Sequence, residues 1–360
     1  MENPVNNVYP FDDIVSRSGF WSAPGPWGHA VISTRIRIAR NMASLPFPNR
    51  LSDSEMEPLF NAMEQFARES RFAGNVHCIS VNEIDNNEKR FLRERNIITY
   101  EMEVAVNGMV CVDQVDDFTI LVNEEDHIRI QTIRPGLQFQ NAYSVADAVD
   151  SELNNYIPYA FSPELGYLSA CVSNIGTGLR VSALLHLPIL TMKNRIVGLI
   201  PEEKKPIADL RGTLGQSSKT VGGLYQLSNR ISLGHSEVDI IESVDEILCG
   251  IVEQEDTLRD DCYAESRLEL EDRIWRSFGC LLHARKISYI EAMDHLSNLR
   301  LGVILAVLKN IDIGIINDCM VEIQWAHLQR RFGCYFKSTG ECDEYRARYL
   351  RDTLQSLGVA

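Results

Sequence analysis

The stretch that most constrains this chain lies at residues 119–131. Two apolar runs of the kind that form β-strands enclose the sequence Asn123-Glu124-Glu125-Asp126-His127, and Arg129 follows inside the second run. Crowded carboxylates repel one another and lose hydration unless cations neutralise them. The segment therefore predicts either a solvated hairpin turn or an acidic site that faces a metal ion or a group of arginines.

Length and composition limit the classes of protein that this chain can represent. Its 360 residues suffice for two or three domains, and a net charge of −15 argues against a general surface for nucleic acids or anionic membranes. The nine cysteines are scattered without a C-x-x-C pair, which indicates neither a zinc site nor a redox motif. We see no secretory signal and no apolar run of membrane length, so we expect a cytoplasmic protein.

A further strand is predicted at residues 31–40, where apolar and basic residues alternate. Alternation with a period of two places Arg35 and Arg37 on one face of the strand and Ile36 and Ile38 on the other. One face of this strand is therefore expected to be apolar and the other cationic.

Hairpin signals such as Asn107-Gly108 favour an antiparallel sheet over a doubly wound parallel one. We predict an α+β fold, with a mostly antiparallel sheet covered by helices and an all-helical C-terminal domain. The expected divisions are an N-terminal arm (1–30), a catalytic domain (31–240) and a helical dimerisation or regulatory domain (241–360). The individual predictions are helices at 51–69 (kinked or delayed by Pro58), 143–156 and 179–187, strands at 102–106, 109–112, 167–171 and 197–200, and a long loop at 201–223.

Two glycine-rich segments were tested as phosphate sites. The segment 215–220 has Ser218 where a Walker A loop needs glycine before Lys219, and no β-run leads into it, so a P-loop is excluded. The segment 174–178 opens a predicted helix, whose N-terminus would attract anions. That signal alone is weak, because most glycine-rich helix starts are only turns.

Arginines supply a stronger indication of a phosphate site. Arginine offers a fixed fork of donors to phosphate oxygens and needs no P-loop lysine. Each one alone could be an ordinary surface residue, but together with the acidic cluster they predict a pocket for a magnesium nucleotide. The five candidates are Arg35, Arg37, Arg129, Arg180 and Arg211.

The chain resembles the phosphagen (ATP:guanido) kinases over roughly residues 30–235, and within that family it is most similar to the bacterial protein-arginine kinases. It lacks the extra N-terminal helical domain of creatine and arginine kinases. The motifs that carry the resemblance are Ser33-Thr34-Arg35-Ile36-Arg37, the run from Asn123 to Arg129, Gly166-Tyr167-Leu168-Ser169-Ala170-Cys171 with the following residues to Arg180, and Arg211-Gly212-Thr213.

The resemblance implies roles for individual residues. Glu125 would hold the acceptor guanidinium and take its proton, Glu124 would act nearer the Mg²⁺ shell, and Cys171 would lie beside the guanidinium as a thiolate. Mg²⁺ would be held mainly by ATP, with no direct protein ligand. The residues implied to bind ATP are Ser33, Thr34, Arg35, Ile36, Arg37, Arg129, Arg180, Arg211, Gly212 and Thr213.

Three departures from the family pattern affect this expectation. Gln216 stands where the family has a second glutamate that binds the guanidinium, so turnover could fall. Asn96 stands where the family has a histidine on the adenine side. Asp343 and Arg346 match a motif that binds phosphoarginine allosterically, but Cys342 replaces its leading arginine.

We therefore expect a protein-arginine kinase that uses ATP and Mg²⁺. The resemblance implies a homodimer, protein substrates with exposed arginines, a zinc-binding activator protein and a Clp-type unfoldase that degrades the marked clients, as part of protein quality control. Two alternatives stay open. One is a catalytically impaired relative that serves as a nucleotide- or phosphoarginine-binding scaffold, and the other is a kinase for a small free guanidine.

Overall fold

An eight-stranded sheet forms the centre of the molecule in the computed structural model, which describes residues 19–113, 117–213 and 220–358. Its strands are β1 (Val31–Arg40), β2 (Val76–Ser80), β3 (Met109–Asp113), β4 (Thr119–Val122), β5 (Ile128–Pro135), β8 (Leu179–His186), β9 (Ala208–Gly212) and β10 (Leu224–Asn229). The order is β2-β3-β4-β5-β1-β8-β10-β9, and every neighbouring pair is antiparallel. Two short strands, β6 (Phe161–Ser162) and β7 (Gly166–Tyr167), form a separate hairpin. The predicted antiparallel sheet is confirmed.

Helices cover the sheet and make up the whole C-terminal region. They are α1 (Glu57–Glu69), α2 (Asn86–Glu94), α3 (Tyr100–Val104), α4 (Phe139–Leu153), α5 (Pro188–Met192), α6 (Glu237–Glu265), α7 (Arg267–His283), α8 (Tyr289–Ile304), α9 (Ile313–Glu322), α10 (Trp325–Phe332) and α11 (Thr339–Ser356). Within the described ranges, no helix is both long enough and apolar enough to span a bilayer. The predicted helical C-terminal region is confirmed, and the exact division at residue 240 stays a prediction.

The strand β1 has the two unlike faces that its alternation predicts. Ile36 and Ile38 are buried in the main hydrophobic core. The helices α4 and α6 pack against this face of the sheet and complete the core. Arg35 and Arg37 lie on the opposite face. Because β1 is flanked by β5 and β8, its cationic face is at the centre of the sheet.

The predicted helix at 179–187 is wrong, because these residues form the strand β8. Leucine and alanine favour helices, but the apolar side chains recur at every second position and are all buried: Leu179, Val181, Ala183 and Leu185. The segment pairs with β1 on one side and β10 on the other, and this pairing in the sheet overrides the local helix propensity.

The predicted strand at 102–106 is also wrong. Residues Tyr100–Val104 form the short helix α3, in which the Thr99 hydroxyl accepts a hydrogen bond from the backbone N–H of Met102 at 3.2 Å. Met102 is fully buried in the core beside β3. The N-terminal cap by Thr99 and the burial of Met102 therefore stabilise a helix here, although Asn107-Gly108 favours a hairpin.

Other boundaries moved by shorter distances. Pro58 delays the first helix, which begins at Glu57, and the Ser52–Glu55 bonds close a separate 3-10 turn before it. The helix predicted at 143–156 spans Phe139–Leu153, and the strand predicted at 167–171 is limited to the short strand Gly166–Tyr167. The strand predicted at 197–200 is a turn, and the loop predicted at 201–223 contains β9.

A disulfide joins Cys78 of β2 to Cys111 of β3. Sequence analysis did not predict this bond, because the two cysteines are 33 positions apart. The antiparallel register of β2 and β3 places them directly opposite each other, where the short distance between paired residues permits the bond.

Glu255 of α6 is a buried carboxyl group that fastens α5 to the core. Its two oxygens accept the backbone N–H groups of Ile189 and Leu190, each at 2.9 Å. Burial raises the pKa of Glu255 to about 7, although these two hydrogen bonds act in the opposite direction. The folded chain therefore binds the Glu255 proton more tightly than the unfolded chain does.

The raised pKa of Glu255 predicts a pH-dependent stability. Its contribution is fully present below the unfolded pKa near 4.5 and is lost as the pH rises through about 7. We expect the free energy of unfolding of the native chain to fall by up to about 3 kcal/mol over this window, from 1.36 kcal/mol per pKa unit. Urea unfolding at several pH values, compared with Glu255→Gln, measures it. Equal slopes in the two proteins would contradict the prediction.

Candidate active site

All five predicted arginines lie on the same face of the sheet. Residues that stand directly opposite each other on antiparallel strands share a face, so the strand register fixes the arrangement. Arg35 and Arg37 share this face on β1. The pairs that place the other three are Arg37–Arg180, Ala39–Arg129, Leu184–Gln226 and Gln226–Arg211. Arg180 is thus on a strand and not in the first turn of a helix, as the sequence had predicted.

Burial and mutual repulsion lower the pKa values of these arginines. Burial is the main cause for Arg35, whose pKa falls to about 10, and the charges of Arg129 and Arg180 add to it. The pKa of Arg37 lies well below its usual value for the same reasons, with Arg35 as the largest charge effect. Burial and then Arg211 and Arg129 lower the pKa of Arg180. The cluster is therefore a cationic surface that would be stabilised by a bound polyanion.

Two of these guanidinium groups have unsatisfied donors. Among the residues that the structure describes, the buried Nε atoms of Arg37 and Arg180 have no hydrogen-bond partner, although Arg180 Nη2 donates to Ser228 Oγ at 3.1 Å. Arg40, which is on the same strand as Arg37, is different: it is buried, and its Nε and Nη2 donate to Asp150 at 3.2 and 2.6 Å. Since buried donors are normally paired, the free Nε atoms fit the oxygens of a phosphorylated ligand.

The acidic cluster forms the hairpin turn between β4 and β5. Asn123 has a positive φ of 61° and its N–H donates to the carbonyl of His127 at 2.8 Å. Glu124 is almost fully enclosed, and its Oε1 accepts the Thr99 hydroxyl at 2.6 Å and Arg129 Nη1 at 2.5 Å. Glu124 therefore orders Arg129 and belongs to the wall of the site.

Glu125 differs from its neighbour in exposure. Its side chain is 42 % exposed, and its contacts with Arg129 Nη2 and Asn174 Nδ2 are both long, at 3.4 Å. Such weak contacts leave the carboxylate able to bind an incoming cation. Of the two predicted catalytic glutamates, Glu125 is the one open to a ligand.

Asp126 does not face the site with the two glutamates, as the acidic cluster had suggested. It is buried, and its carboxylate accepts four donors: Asn41 Nδ2 at 2.6 Å, the Ser169 hydroxyl, the Ala170 N–H at 2.8 Å and Asn174 Nδ2 at 3.1 Å. It thereby fastens the segment 169–174 to the hairpin that carries Glu125. Sequence analysis missed this role because all the donors are distant along the chain.

We expect Asp126→Asn to destabilise the protein by about 2–4 kcal/mol, because the amide NH2 group would replace the carboxylate oxygen that accepts Asn174 Nδ2 and would face that donor, and because hydrogen bonds to charged groups contribute most. The urea midpoint measures the loss. The matched control is Glu125→Gln, which changes the adjacent exposed carboxylate and should shift the free energy of unfolding by less than about 0.5 kcal/mol. Equal losses in the two variants would show that Asp126 does not anchor the segment.

Cys171 lies on this anchored segment. Its backbone N–H donates to Ser169 Oγ at 3.1 Å, and its sulfur is 3.1 Å from Ser173 Oγ. The thiol is free and half-buried. Asp126 therefore holds Asn174 directly and the backbone of Cys171 through Ser169. The position of Cys171 beside the acceptor guanidinium stays a prediction.

The glycine-rich segment 174–178 leads into the strand β8 and starts no helix, so the predicted anion site at a helix N-terminus is absent. Gly178 has a φ of +66°, and a Cβ atom there would lie 2.5 Å from the carbonyl oxygen of Ala39. The glycine is needed because the segment crosses closely over the end of β1.

The other predicted ATP-binding residues divide between the two faces of the sheet. Ser33 shares the face of the arginines, whereas Thr34 and Ile36 point into the core, and Thr34 Oγ1 accepts the backbone N–H of Gln138 at 3.2 Å. Gly212 ends β9 next to Arg211, and Thr213 follows it. Gln216 lies outside the described residues.

A cavity of about 380 Å³ continues the arginine-bearing face beyond Arg35. Leu184 and Gln226 line it from that face, and Asn96 and Thr213 from the surrounding loops. Met293 of α8 lines it from the helical region. The walls are mostly apolar, so this cavity suits a flat heterocycle adjacent to the arginines.

A second cavity, of about 490 Å³, contains Asp343 and Arg346 of α11. Arg346 is buried, and its donors are used by the carbonyls of Ile323 and Ile287 at 2.9 and 3.0 Å, by Asp343 and by the Cys342 sulfur at 3.2 Å. Cys342 thus occupies the space beside Arg346. The guanidinium is held in place by the protein itself and borders the cavity.

Known families match both parts of the chain. The C-terminal catalytic domain of the ATP:guanido phosphotransferases matches residues 59–258, and the C-terminal domain of the protein-arginine kinase McsB matches residues 267–359. A protein-arginine kinase of Symbiobacterium thermophilum is 37% identical over 352 residues, which covers 96% of this chain and 99% of the relative. The chain belongs to the protein-arginine kinase family of ATP:guanido phosphotransferases.

A second relative and two solved structures are also similar to this chain. The protein-arginine kinase of Bacillus subtilis is 36% identical over 94% of this chain and 93% of its own. The duplicated taurocyamine kinase from Schistosoma mansoni with bound transition-state-analogue components has a TM-score of 0.57, with 21% identity over 76% of this chain and 41% of that one. A lombricine kinase structure has a TM-score of 0.53, with 23% identity over 64% of this chain and 68% of that one. At these identities the structures establish the ATP:guanido phosphotransferase fold of the chain.

Proposed function

We propose that this chain transfers the γ-phosphoryl group of MgATP to arginine side chains of proteins. The observation that carries the proposal is the sheet face with five arginines, two of them with unsatisfied buried Nε atoms, next to the exposed carboxylate of Glu125. Its relatives over nearly the full length, such as that of Halothermothrix orenii at 36% identity, are named protein-arginine kinases. The exposure of Glu125 suits an acceptor carried on another protein.

The arginines would bind the triphosphate. Arg37 and Arg180 would each donate their free Nε to phosphate oxygens, and the charge of the ligand would relieve the repulsion that now lowers their pKa values. Arg35 lies between them and the apolar cavity, which would take the base. Magnesium, when bound, neutralises charge on the phosphates, and we assign it no direct protein ligand.

Glu125 would bind the acceptor guanidinium and accept its proton. A nitrogen of the substrate arginine forms a bond to the γ-phosphorus, while the bond from phosphorus to the bridging oxygen of the leaving diphosphate breaks. A protonated guanidinium is a poor nucleophile, so a carboxylate must orient it and take a proton as the new bond forms. Glu124 accepts hydrogen bonds from Thr99 and Arg129, and it would thereby hold the Arg129 guanidinium next to the transferred phosphoryl group.

The remaining features of the proposal concern regulation. We place the enzyme in the cytoplasm, where MgATP is supplied, and propose a homodimer formed through the helical region. The cavity at Asp343 and Arg346 would take phosphoarginine, with Arg346 contributing charge. A zinc-binding activator and a Clp-type unfoldase acting on marked clients would be the partners. Phosphorylation turns a cationic side chain into an anionic one, which a receptor can recognise.

Label transfer from γ-labelled ATP tests the proposal. The substrate is an unstructured arginine-rich protein, its matched control has every arginine replaced by lysine, and a third reaction contains free arginine. We expect acid-labile label on the arginine-rich protein alone. Faster labelling of free arginine would instead indicate a kinase for a small guanidine. No label in the native chain, together with transfer by Gln216→Glu, would indicate an impaired relative that acts as a scaffold.

A further inference from the structure

Three side chains that bind metals meet between α7 and α8, outside the catalytic region. They are Cys280, Glu291 and His295, and their donor atoms all lie within 4.8 Å of one another. Glu291 and His295 are four residues apart and share a face of α8, while Cys280 belongs to the last turn of α7. Among the residues whose structure is described, no other group of three or more such side chains is this close together.

The imidazole of His295 is already oriented by a second layer of contacts. Its Nδ1 lies 3.1 Å from Ser277 Oγ, which also accepts Asn298 Nδ2 at 2.9 Å. Arg273 Nε in turn donates to Asn298 Oδ1 at 3.0 Å. When Nδ1 donates its proton to Ser277, Nε2 keeps a lone pair. A histidine that binds a metal typically has its other ring nitrogen held in this way.

The charges around the cluster also suit a cation. Glu291 is exposed and Cys280 and His295 are half-buried, so a metal ion can reach the group from solvent. Burial is the main influence on His295 and lowers its pKa, while Glu291 and Asp294 act in the opposite direction. The carboxylates of Glu291 and Asp294 thus make the surroundings of the ring negative, which favours a bound cation.

We propose that Cys280, Glu291 and His295 form a binding site for a divalent transition metal, with Zn²⁺ as the preferred ion. Thiolate, imidazole and carboxylate are the donors that zinc takes in proteins, and a water molecule would complete a tetrahedron. Bonds of about 2.0–2.3 Å place tetrahedral ligands roughly 3.3–3.8 Å apart, so side-chain rotations must close the group by about 1 Å. Binding releases the thiol proton of Cys280 to solvent.

The metal would link α7 to α8, and α8 borders both proposed ligand cavities. Besides the two metal ligands, α8 contains Met293, which lines the cavity beside the arginines, and Tyr289, which lines that cavity and the one at Arg346. A metal bond from Cys280 would fix α8 against α7. The site is therefore structural in kind, and it shares the helix α8 with both cavities.

Cobalt substitution tests the site on the full-length chain after chelator treatment. We expect CoCl₂ to produce the visible bands of tetrahedral cobalt and a thiolate-to-cobalt charge-transfer band, and ZnCl₂ to remove both by competition. ZnCl₂ should also raise the melting temperature. Cys280→Ser should abolish the charge-transfer band and the rise in Tm, and Ser277→Ala should weaken binding by roughly 10–100-fold.

Cys249→Ser is the matched control. Cys249 on α6 is also half-buried and free, and the carboxylates of Asp245 and Glu253 are near its thiol, as Glu291 is near Cys280. In the part of the chain that the structure describes, Cys249 belongs to no group of three metal-binding side chains, so this variant should bind cobalt like the native chain. Absence of the charge-transfer band in the native chain, or its persistence in Cys280→Ser, would overturn the proposal.

Discussion

Replacing Glu125 by glutamine is expected to lower the rate of phosphoryl transfer to arginine by about 10²–10⁴-fold, the usual contribution of a positioned general base. Glutamine keeps the size of the side chain and can still accept a hydrogen bond from a guanidinium. It can neither neutralise the cation nor take its proton. The loss should be more complete here than in a relative with two glutamates, because we assign Gln216 to the position of the second one on the strength of the sequence resemblance.

The measurement is kcat and KM for an arginine-rich protein substrate, together with the affinity for MgATP. Only kcat and the KM for the protein should change, since Glu125 is at the edge of the arginine face and makes only long contacts with Arg129. Glu164→Gln is the control, because Glu164 is an exposed carboxylate in the nearby β6–β7 turn. Transfer that continues at the native rate in Glu125→Gln would refute the role of Glu125.

The central part of the site could be predicted from the sequence because its signals are local. The alternation in residues 31–40 fixes which side chains share a face of β1, and the acidic run between two apolar strands specifies a turn. Neither signal depends on distant residues. Arg180 was assigned to the wrong kind of element, because it was expected in a helix; it lies opposite Arg37 on the arginine-bearing face. It was still included among the candidates, because the motif that contains it was recognised independently of its secondary structure.

Features that depend on distant contacts could not be predicted. Asp126 looks like its two acidic neighbours in the sequence, and only the fold shows that its donors come from positions 41 and 169–174. The disulfide between Cys78 and Cys111 and the cluster at Cys280 likewise combine residues with no recognised spacing. Arg40 shares a strand with Arg37, and its pairing with Asp150 is visible only in three dimensions.

Replacing Arg37 by methionine is expected to raise the stability of the ligand-free protein while it removes the binding of MgATP. A lowered pKa of a basic group means that the folded protein stabilises its charged form less than water does. The pKa of Arg37 is lowered by burial and by the charges of three other arginines. Removing that charge should raise the free energy of unfolding by about 1–2 kcal/mol. Loss of one or two charge-assisted bonds to phosphate, at about 1.5–3 kcal/mol each, should lower kcat/KM for ATP by about 10–10⁴-fold.

Thermal melting without MgATP measures the change in stability, and the rise in melting temperature on addition of MgATP measures its binding. Arg40→Met is the matched control on the same strand. Arg40 is paired with Asp150 at 2.6 Å, so its removal leaves a buried carboxylate alone and should destabilise the ligand-free protein by about 3–5 kcal/mol. The two substitutions should thus shift the melting temperature in opposite directions. If Arg37→Met instead melted as early as Arg40→Met, Arg37 would be a structural cation with a partner in the fold. The arginine-bearing face would then already be neutralised by the protein and would not be a binding site for a phosphorylated ligand.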